Sequence, residues 1–181
     1  MILCDTEIRA LLKDRITPWR EENLNPNSYN ITLGQELGVC IPSMWEEKLP
    51  IDPEDKTSFI TQKIDYTDGK YVLKPGEFIL AEMEEEIDLP RNICADVRGR
   101  SSLGRLGLIN SSHAGLIDAG FGKKITLELY NSGRYGIVLR PGMSIGQLQF
   151  QKLDPPPGVA YGEKTTSRYY NQAPLEGSKG V

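Results

Sequence analysis

Several stretches of the chain alternate apolar and polar positions with the period of two that marks a β-strand. In ITLELYN, residues 125–131, Ile125, Leu127 and Leu129 share one face, while Thr126, Glu128 and Tyr130 share the other. GQLQFQKL, residues 146–153, repeats the pattern, with Gln147, Gln149 and Gln151 opposite Leu148 and Phe150. SYNITLG, from Ser28 to Gly34, and CADVRG, after Pro90, read as further strands. Helical spacing is confined to two places. Asp5 is placed to cap a short outer helix that presents Ile8, Leu11 and Leu12 on one face. Pro18 and the polar run to Asn27 end it. SSLGRLG, residues 101–107, predicts one helical turn or two, with Ser101 near its start. Residues 43–70 are acidic and irregular, mostly loop with one short strand around Phe59, and Trp45 there reads as a partly buried anchor.

A small internal echo sharpens this picture. YVLKPGEFILAE (71–82) resembles IVLRPGMSIGQL (137–148): a β-type run, a basic residue, Pro-Gly, then a second β-type run. Pro followed by Gly suits the two central positions of a type II turn, because glycine accepts positive φ at the second of them. Each copy therefore predicts two strands meeting at a tight corner. Many short strands, frequent Gly/Pro punctuation and little helix predict an all-β barrel or sandwich. From Asp154 the chain is rich in Pro and Gly and poor in apolar residues, which predicts a flexible arm over 154–181 on a single domain.

Composition narrows the function classes. The 181 residues are 39% hydrophobic and 25% charged, ordinary for a soluble globular domain with a sizeable core. A net charge of −4 argues against a general nucleic-acid footprint, so any phosphate binding must be local. Cys4, Cys40 and Cys94 are scattered without CxxC spacing, which fits reduced thiols in a cytoplasmic protein. No apolar run reaches membrane-spanning length, and the start MILCDTEIR lacks signal-peptide character.

The candidate chemistry concentrates in residues 98–133. Arg98, Arg100, Ser101, Ser102 and Arg105 fall close together, Asp118 follows in a glycine-punctuated turn, and Glu128 stands mid-strand. Phosphate ligands, a turn acid and a strand acid in so short a span point to a site for a phosphorylated small molecule. Arg98 also fits a structural ion pair.

RGRSSLGRLGL, AGLIDAGF, ITLELYNSG, LRPGMSIGQL and the tail residues Tyr161, Arg168, Tyr169, Asn171 and Gln172 together resemble the dCTP deaminase family of the trimeric dUTPase-like superfamily. MILCDTEIRALL and NPNSYNITLG fit the same family, so the resemblance covers nearly the whole chain. AGLIDAGF alone is shared with true dUTPases. The resemblance implies a distorted β-barrel of the β-clip type with a short N-terminal helix and few other helical turns. It also implies a homotrimer with active sites between neighbouring subunits, and dCTP or dUTP as substrate. Mg²⁺ would be held through the nucleotide's triphosphate and not by protein side chains.

Hydrolytic deamination of cytosine delivers water to C4 and protons to the ring and the leaving amine. Most nucleobase deaminases make the hydroxide on zinc, with an HxE…PCxxC signature. One histidine, His113, and no such cysteine pair argue against a zinc-dependent deaminase, and the remaining route is a carboxylate that carries the proton. Glu128 matches the family's catalytic glutamate. Ser101 and Arg105 match residues that orient it and stabilise developing charge. Arg100 and Ser102 match phosphate ligands, and Tyr161, Arg168 and Gln172 match contacts to the triphosphate; Arg168 stands where lysine is frequent. Ala114, Gly115 and Gln147 complete the implied substrate-binding set.

Two features bear on the product. Family members that stop at dUTP carry His-Arg before Ile-Asp, whereas Gly115-Leu116 stands here, as in dUTPases. Asp118 would then hold the deoxyribose 3′-hydroxyl and orient a second water towards the α-phosphorus. The expected activity is conversion of dCTP to dUMP, diphosphate and ammonia; release of dUTP alone, a pure dUTPase and a non-catalytic nucleotide sensor are the alternatives. The family's usual H-x-T-A is Ser111-Ser112-His113-Ala114 here, which makes Ser111 and His113 candidate pocket residues and leaves feedback control by an end-product nucleotide open.

Overall fold

The structure is a computed structural model and describes residues 1–42, 54, 59–110, 114–170, 175 and 179. Helix α1 spans Asp5–Leu12, and a single turn α2 spans Ser101–Gly104. The strands among the described residues are β1 (Ile16–Thr17), β2 (Leu24–Asn25), β3 (Ser28–Pro42), β4 (Phe59–Ile64), β5 (Tyr71–Leu73) and β6 (Phe78–Asp88). They continue with β7 (Ile93–Gly99), β8 (Leu108–Asn110), β9 (Leu116–Ile117), β10 (Gly122–Asn131), β11 (Ile137–Leu139) and β12 (Ser144–Lys152). Trp45 lies outside the described residues, while the strand expected around Phe59 is β4.

One antiparallel sheet runs β8-β10-β6-β3-β12-β7-β9, with β1 on β6 and both β2 and β4 on β3. Strands β7 and β8 stand near opposite ends of that path, yet they line one cavity together. The sheet is therefore curled, and the fold is a distorted β-barrel and not a sandwich. No helix among the described residues is long and apolar enough to cross a membrane.

The period of two translates directly into packing. Leu127, Leu129, Leu148 and Phe150 are fully buried, and their polar neighbours on the same strands face away from the core. Both Pro-Gly corners form as expected. Glu77 N–H bonds to Lys74 C=O at 3.1 Å and Met143 N–H to Arg140 C=O at 3.2 Å, around Gly76 (φ +76°) and Gly142 (φ +81°). The two echoed runs also pair with each other as a separate two-stranded sheet, Ile137 opposite Leu73 and Leu139 opposite Tyr71.

Two local expectations are corrected. Cys4 is the N-cap and Asp5 the first helical residue; Cys4 N–H bonds to the Glu7 carboxylate at 3.1 Å, so the cap comes from inside the first turn. Leu11 is exposed, because Ile8 and Leu12 alone fill the helix's contact with the barrel.

A buried polar cluster ties the N-terminal segment to the sheet. The Glu85 side chain has no exposure; it accepts the Thr32 N–H at 2.9 Å and a bond from the Thr32 hydroxyl. Arg20 approaches Glu85 at 3.5 Å and binds Glu84 at 2.7 Å. Burial raises the Glu85 pKa above the usual carboxylate range despite the Thr32 donors, and the Glu84 charge raises it further. The folded state therefore holds a proton at Glu85 more tightly than the unfolded chain does. This contribution to stability is present below the ordinary carboxylate pKa and is lost as pH rises through the raised value. Glu85→Gln keeps the shape and stays neutral. Its urea midpoint should gain on the parent's as pH rises above the ordinary carboxylate range; parallel curves would show that Glu85 does not titrate abnormally.

Candidate active site

The basic cluster grows from the end of β7. Arg100 is extended (φ −95°, ψ 135°), and its carbonyl accepts the N–H groups of Leu103 (3.0 Å) and Gly104 (2.9 Å), while Arg105 N–H reaches Ser101 C=O at 3.1 Å. One turn forms because Leu103 packs on the core, which leaves Ser101, Ser102 and Arg105 exposed. The Arg100 guanidinium donates to the Ser144 hydroxyl. Gln147 lies beside it: its amide donates to Gly99 C=O at 3.3 Å and accepts the Ser28 hydroxyl at 2.9 Å. Arg98 reaches Asp96 at 3.6 Å, the ion pair its sequence context allowed.

Glu128 is half-buried on the outer face of β10, between the buried Leu127 and Leu129. The register places it opposite Leu80, with Thr126 opposite Glu82 and Tyr130 opposite Phe78. Directly opposed residues share a face, so Glu128 is framed by Leu80, Tyr130 and Phe78. Of these, Phe78 is 49% and Tyr130 37% exposed. The strand thus offers a half-buried carboxylate between the Thr126–Glu82 pair on one side and the part-exposed Phe78 and Tyr130 on the other.

Asn131 ends β10 and is completely buried. Its amide donates to Leu73 C=O and Tyr135 C=O, both at 2.9 Å, and accepts Gly133 N–H at 2.9 Å. This fixes the turn that follows Glu128. That turn meets the segment after α2 backbone to backbone: Ser132 N–H and hydroxyl both bond to Gly107 C=O at 2.9 Å. A Cβ on Gly107 (φ +94°) would stand 2.5 Å from Gly133 N and 2.6 Å from its Cα. The stretch carrying Ser101 and Arg105 is thereby joined to the strand carrying Glu128 through two glycines.

A third part lies at the barrel seam. Gly115, Leu116, Asp96, Arg98, Leu108 and Asn110 are among the residues lining a cavity of about 370 Å³. Gly115 C=O accepts Val97 N–H at 2.8 Å, which holds Ala114 and Gly115 against β7. Strand β9 then delivers Asp118 to an exposed turn closed by Phe121 N–H to Asp118 C=O at 3.1 Å. Nearby, burial foremost and then the Asp96 and Asp118 charges push the Cys94 thiol up, which keeps it protonated. The arm returns to this same turn. Tyr161 N–H bonds to Ala119 C=O at 2.9 Å, and its ring lies 5.7 Å from that of Phe121. The Tyr161 hydroxyl accepts Tyr169 N–H at 3.1 Å, next to the exposed Arg168.

The structure therefore groups Arg100 with Gln147, Ser101 and Ser102 with Arg105, and Asp118 with Tyr161, and it sets Glu128 on a separate strand coupled to α2. Ser111, His113 and Gln172 lie outside the described residues. Sequence reasoning missed Asn131, the Gly107–Gly133 contact and Asn110. Asn110 lines the cavity and pairs with Leu129, one residue from Glu128. An asparagine closing a strand before Ser-Gly was the available signal for the first of these.

A family model described as dCTP deaminase-like matches residues 2–153. A "dCTP deaminase, dUMP-forming" of Dictyoglomus turgidum is 39% identical over 186 residues, covering 99% of this chain and 94% of its own. The enzyme of that name from Tropheryma whipplei is 40% identical over 177 residues, covering 95% and 89%. Among solved structures, the 2′-deoxycytidine 5′-triphosphate deaminase from Agrobacterium tumefaciens matches with a TM-score of 0.64 at 23% identity, over 83% of this chain. This chain covers 47% of that longer protein, and the likeness supports the fold.

The two-glycine junction has a direct test. Gly107→Ala adds a Cβ where backbone stands and at a φ that L side chains rarely adopt. It should destabilise the chain by about 2–4 kcal/mol, the scale of overpacking combined with backbone strain, read as a lowered urea midpoint. A variant as stable as the parent would show that the close approach is not there.

Proposed function

The chain belongs to the dCTP deaminase-like family, and on that footing we propose that it hydrolyses dCTP at two places to give dUMP, diphosphate and ammonia. The observation that carries this reading is the likeness along almost the whole chain to relatives named for forming dUMP. The geometry supports it by setting two carboxylates in contrasting surroundings, Glu128 half-buried among apolar side chains and Asp118 exposed on a turn. Contrasting surroundings suit two acids to two different proton tasks.

In the first hydrolysis Glu128 takes a proton from the water that attacks cytosine C4 and passes it to N3. Glu128, ionised again, takes the proton of the new C4 hydroxyl and gives it to the amine, and the tetrahedral carbon expels ammonia, leaving a uracil carbonyl. Ser101 orients the carboxylate and Arg105 stabilises charge that develops on the pyrimidine. In the second, Asp118 holds the 3′-hydroxyl and orients a water towards the α-phosphorus; the α–β bridge breaks and diphosphate leaves. Arg100, Ser102, Arg168, Tyr161, Gln147 and Gln172 bind the nucleotide, and the guanidinium forks suit phosphate oxygens. Gly115, with no side chain, and Ala114 let the backbone approach the substrate. Magnesium enters as part of the substrate, on its triphosphate. Residues 154–181 close over it as a nucleotide-covering arm.

The site is shared between subunits of a homotrimer. The exposed Phe78 and Tyr130 beside Glu128 support this, because a second copy laid on them would cover the carboxylate. Covering it would also keep bulk water from the carboxylate while it accepts and returns protons.

Two outcomes test the chemistry. Glu128→Gln should lower ammonia release from dCTP by about a hundredfold or more, the scale of a lost acid-base group, with far less change in nucleotide affinity. Asp118→Asn should impair diphosphate release more than ammonia release; equal loss of both products would remove the division of labour. Sharing between subunits has its own test. Glu128→Gln and Arg105→Ala chains, each inactive alone, should recover part of the parent activity when co-expressed, and a monomeric active enzyme would defeat the shared site.

A further inference from the structure

Arg91 sits in the turn between β6 and β7, outside every residue assigned above to the chemistry. The turn itself is rigidly held. Ile93 N–H closes it on Pro90 C=O at 3.0 Å, Leu89 N–H bonds to Phe121 C=O at 2.8 Å, and Asn92 C=O accepts Leu153 N–H at 2.8 Å. From this base the Arg91 guanidinium uses all three of its nitrogens on the start of the C-terminal arm. Nε donates to Pro157 C=O at 3.2 Å, one terminal nitrogen donates to Gly158 C=O, and the other binds the Glu163 carboxylate at 2.9 Å. Glu163 in turn accepts Ala160 N–H with its second oxygen at 3.1 Å. Ala160 packs against Gly120, whose φ of +81° and missing side chain let the arm approach the Asp118 turn. Tyr161 follows, bonded to Ala119, and its hydroxyl and carbonyl accept Tyr169 N–H and the Ser167 hydroxyl.

An exposed ion pair alone stabilises little. This one differs because a planar fork meets two carbonyls and a carboxylate at once, which fixes direction as well as distance. The connected path runs from Arg91 through Glu163 and Ala160 to Tyr161 and on to the residues flanking Arg168.

We propose that the Arg91–Glu163 clasp is the hinge of the arm: two positioning residues that aim Tyr161 and Arg168 at the nucleotide and so set its affinity without touching the reacting atoms. The proposal rests on the reading of the arm as nucleotide-covering. Loss of the clasp removes binding that substrate and transition state share, so KM rises while kcat holds.

The test uses the full chain. Arg91→Gln should raise KM for dCTP about tenfold, the scale of one lost charge-assisted hydrogen bond, with kcat within about twofold of the parent. Arg91→Lys, which keeps charge but loses the fork, should fall between the two. Trypsin should cut after Lys164 and Arg168 faster in Arg91→Gln than in the parent, before any nucleotide is added, as read by mass spectrometry. Glu163→Gln provides the same readouts from the arm's side should Arg91→Gln fold poorly. Unchanged cleavage in both variants would overturn the clasp. Faster cleavage with parental KM would overturn its role in affinity. A parent chain that turns over no dCTP would instead sink the proposed function, while the cleavage rates would still report on the hinge.

Discussion

Asn131 is a buried amide with its oxygen and both donors engaged, and the geometry of the candidate site depends on it. Stranding such a group away from water costs about 1–3 kcal/mol per unsatisfied atom, so the turn it organises has little freedom to move. That turn brings Gly133 onto Gly107, and the two backbones meet where no side chain fits. The contact explains why the RSSLGRLGL and LELYNSG stretches matter as a pair. One carries the arginines and serines, the other the half-buried acid, and their shared glycine junction fixes where each stands on the chain.

The electrostatics divide the molecule in a second way. Glu85 is deeply buried and bound to Thr32, with its pKa raised by burial, and it serves the fold. Glu128 is half-buried beside Phe78 and Tyr130, which face solvent. In the proposed trimer that face would be covered, and catalysis would then depend on assembly. Asp118 stays on the surface turn, beside the docked Tyr161.

Much of this was legible along the chain because strand periodicity and Pro-Gly turns are local codes. ITLELYN and GQLQFQKL pack as their alternation predicts, and both Pro-Gly corners carry the positive φ their sequence requires. The pairing of β5 with β11 was not legible, since only tertiary structure decides which corner meets which. The same holds for strand β3, read to Gly34 but running to Pro42 through a register shift between Leu33 and Leu37. Cys4 took the cap from Asp5 because Glu7, one turn on, reaches back to its N–H. The docking of Tyr161 on Phe121 joins residues forty positions apart and left no local trace.

The proposed enzyme directs two waters, one to cytosine C4 and one to the α-phosphorus. Turnover of magnesium dCTP in heavy-oxygen water, followed by mass spectrometry of the products, reads both at once. The dUMP formed should bear one label on the uracil ring and one on its phosphate, with unlabelled diphosphate. Accumulation of dUTP labelled on the ring alone, with no dUMP, would contradict it.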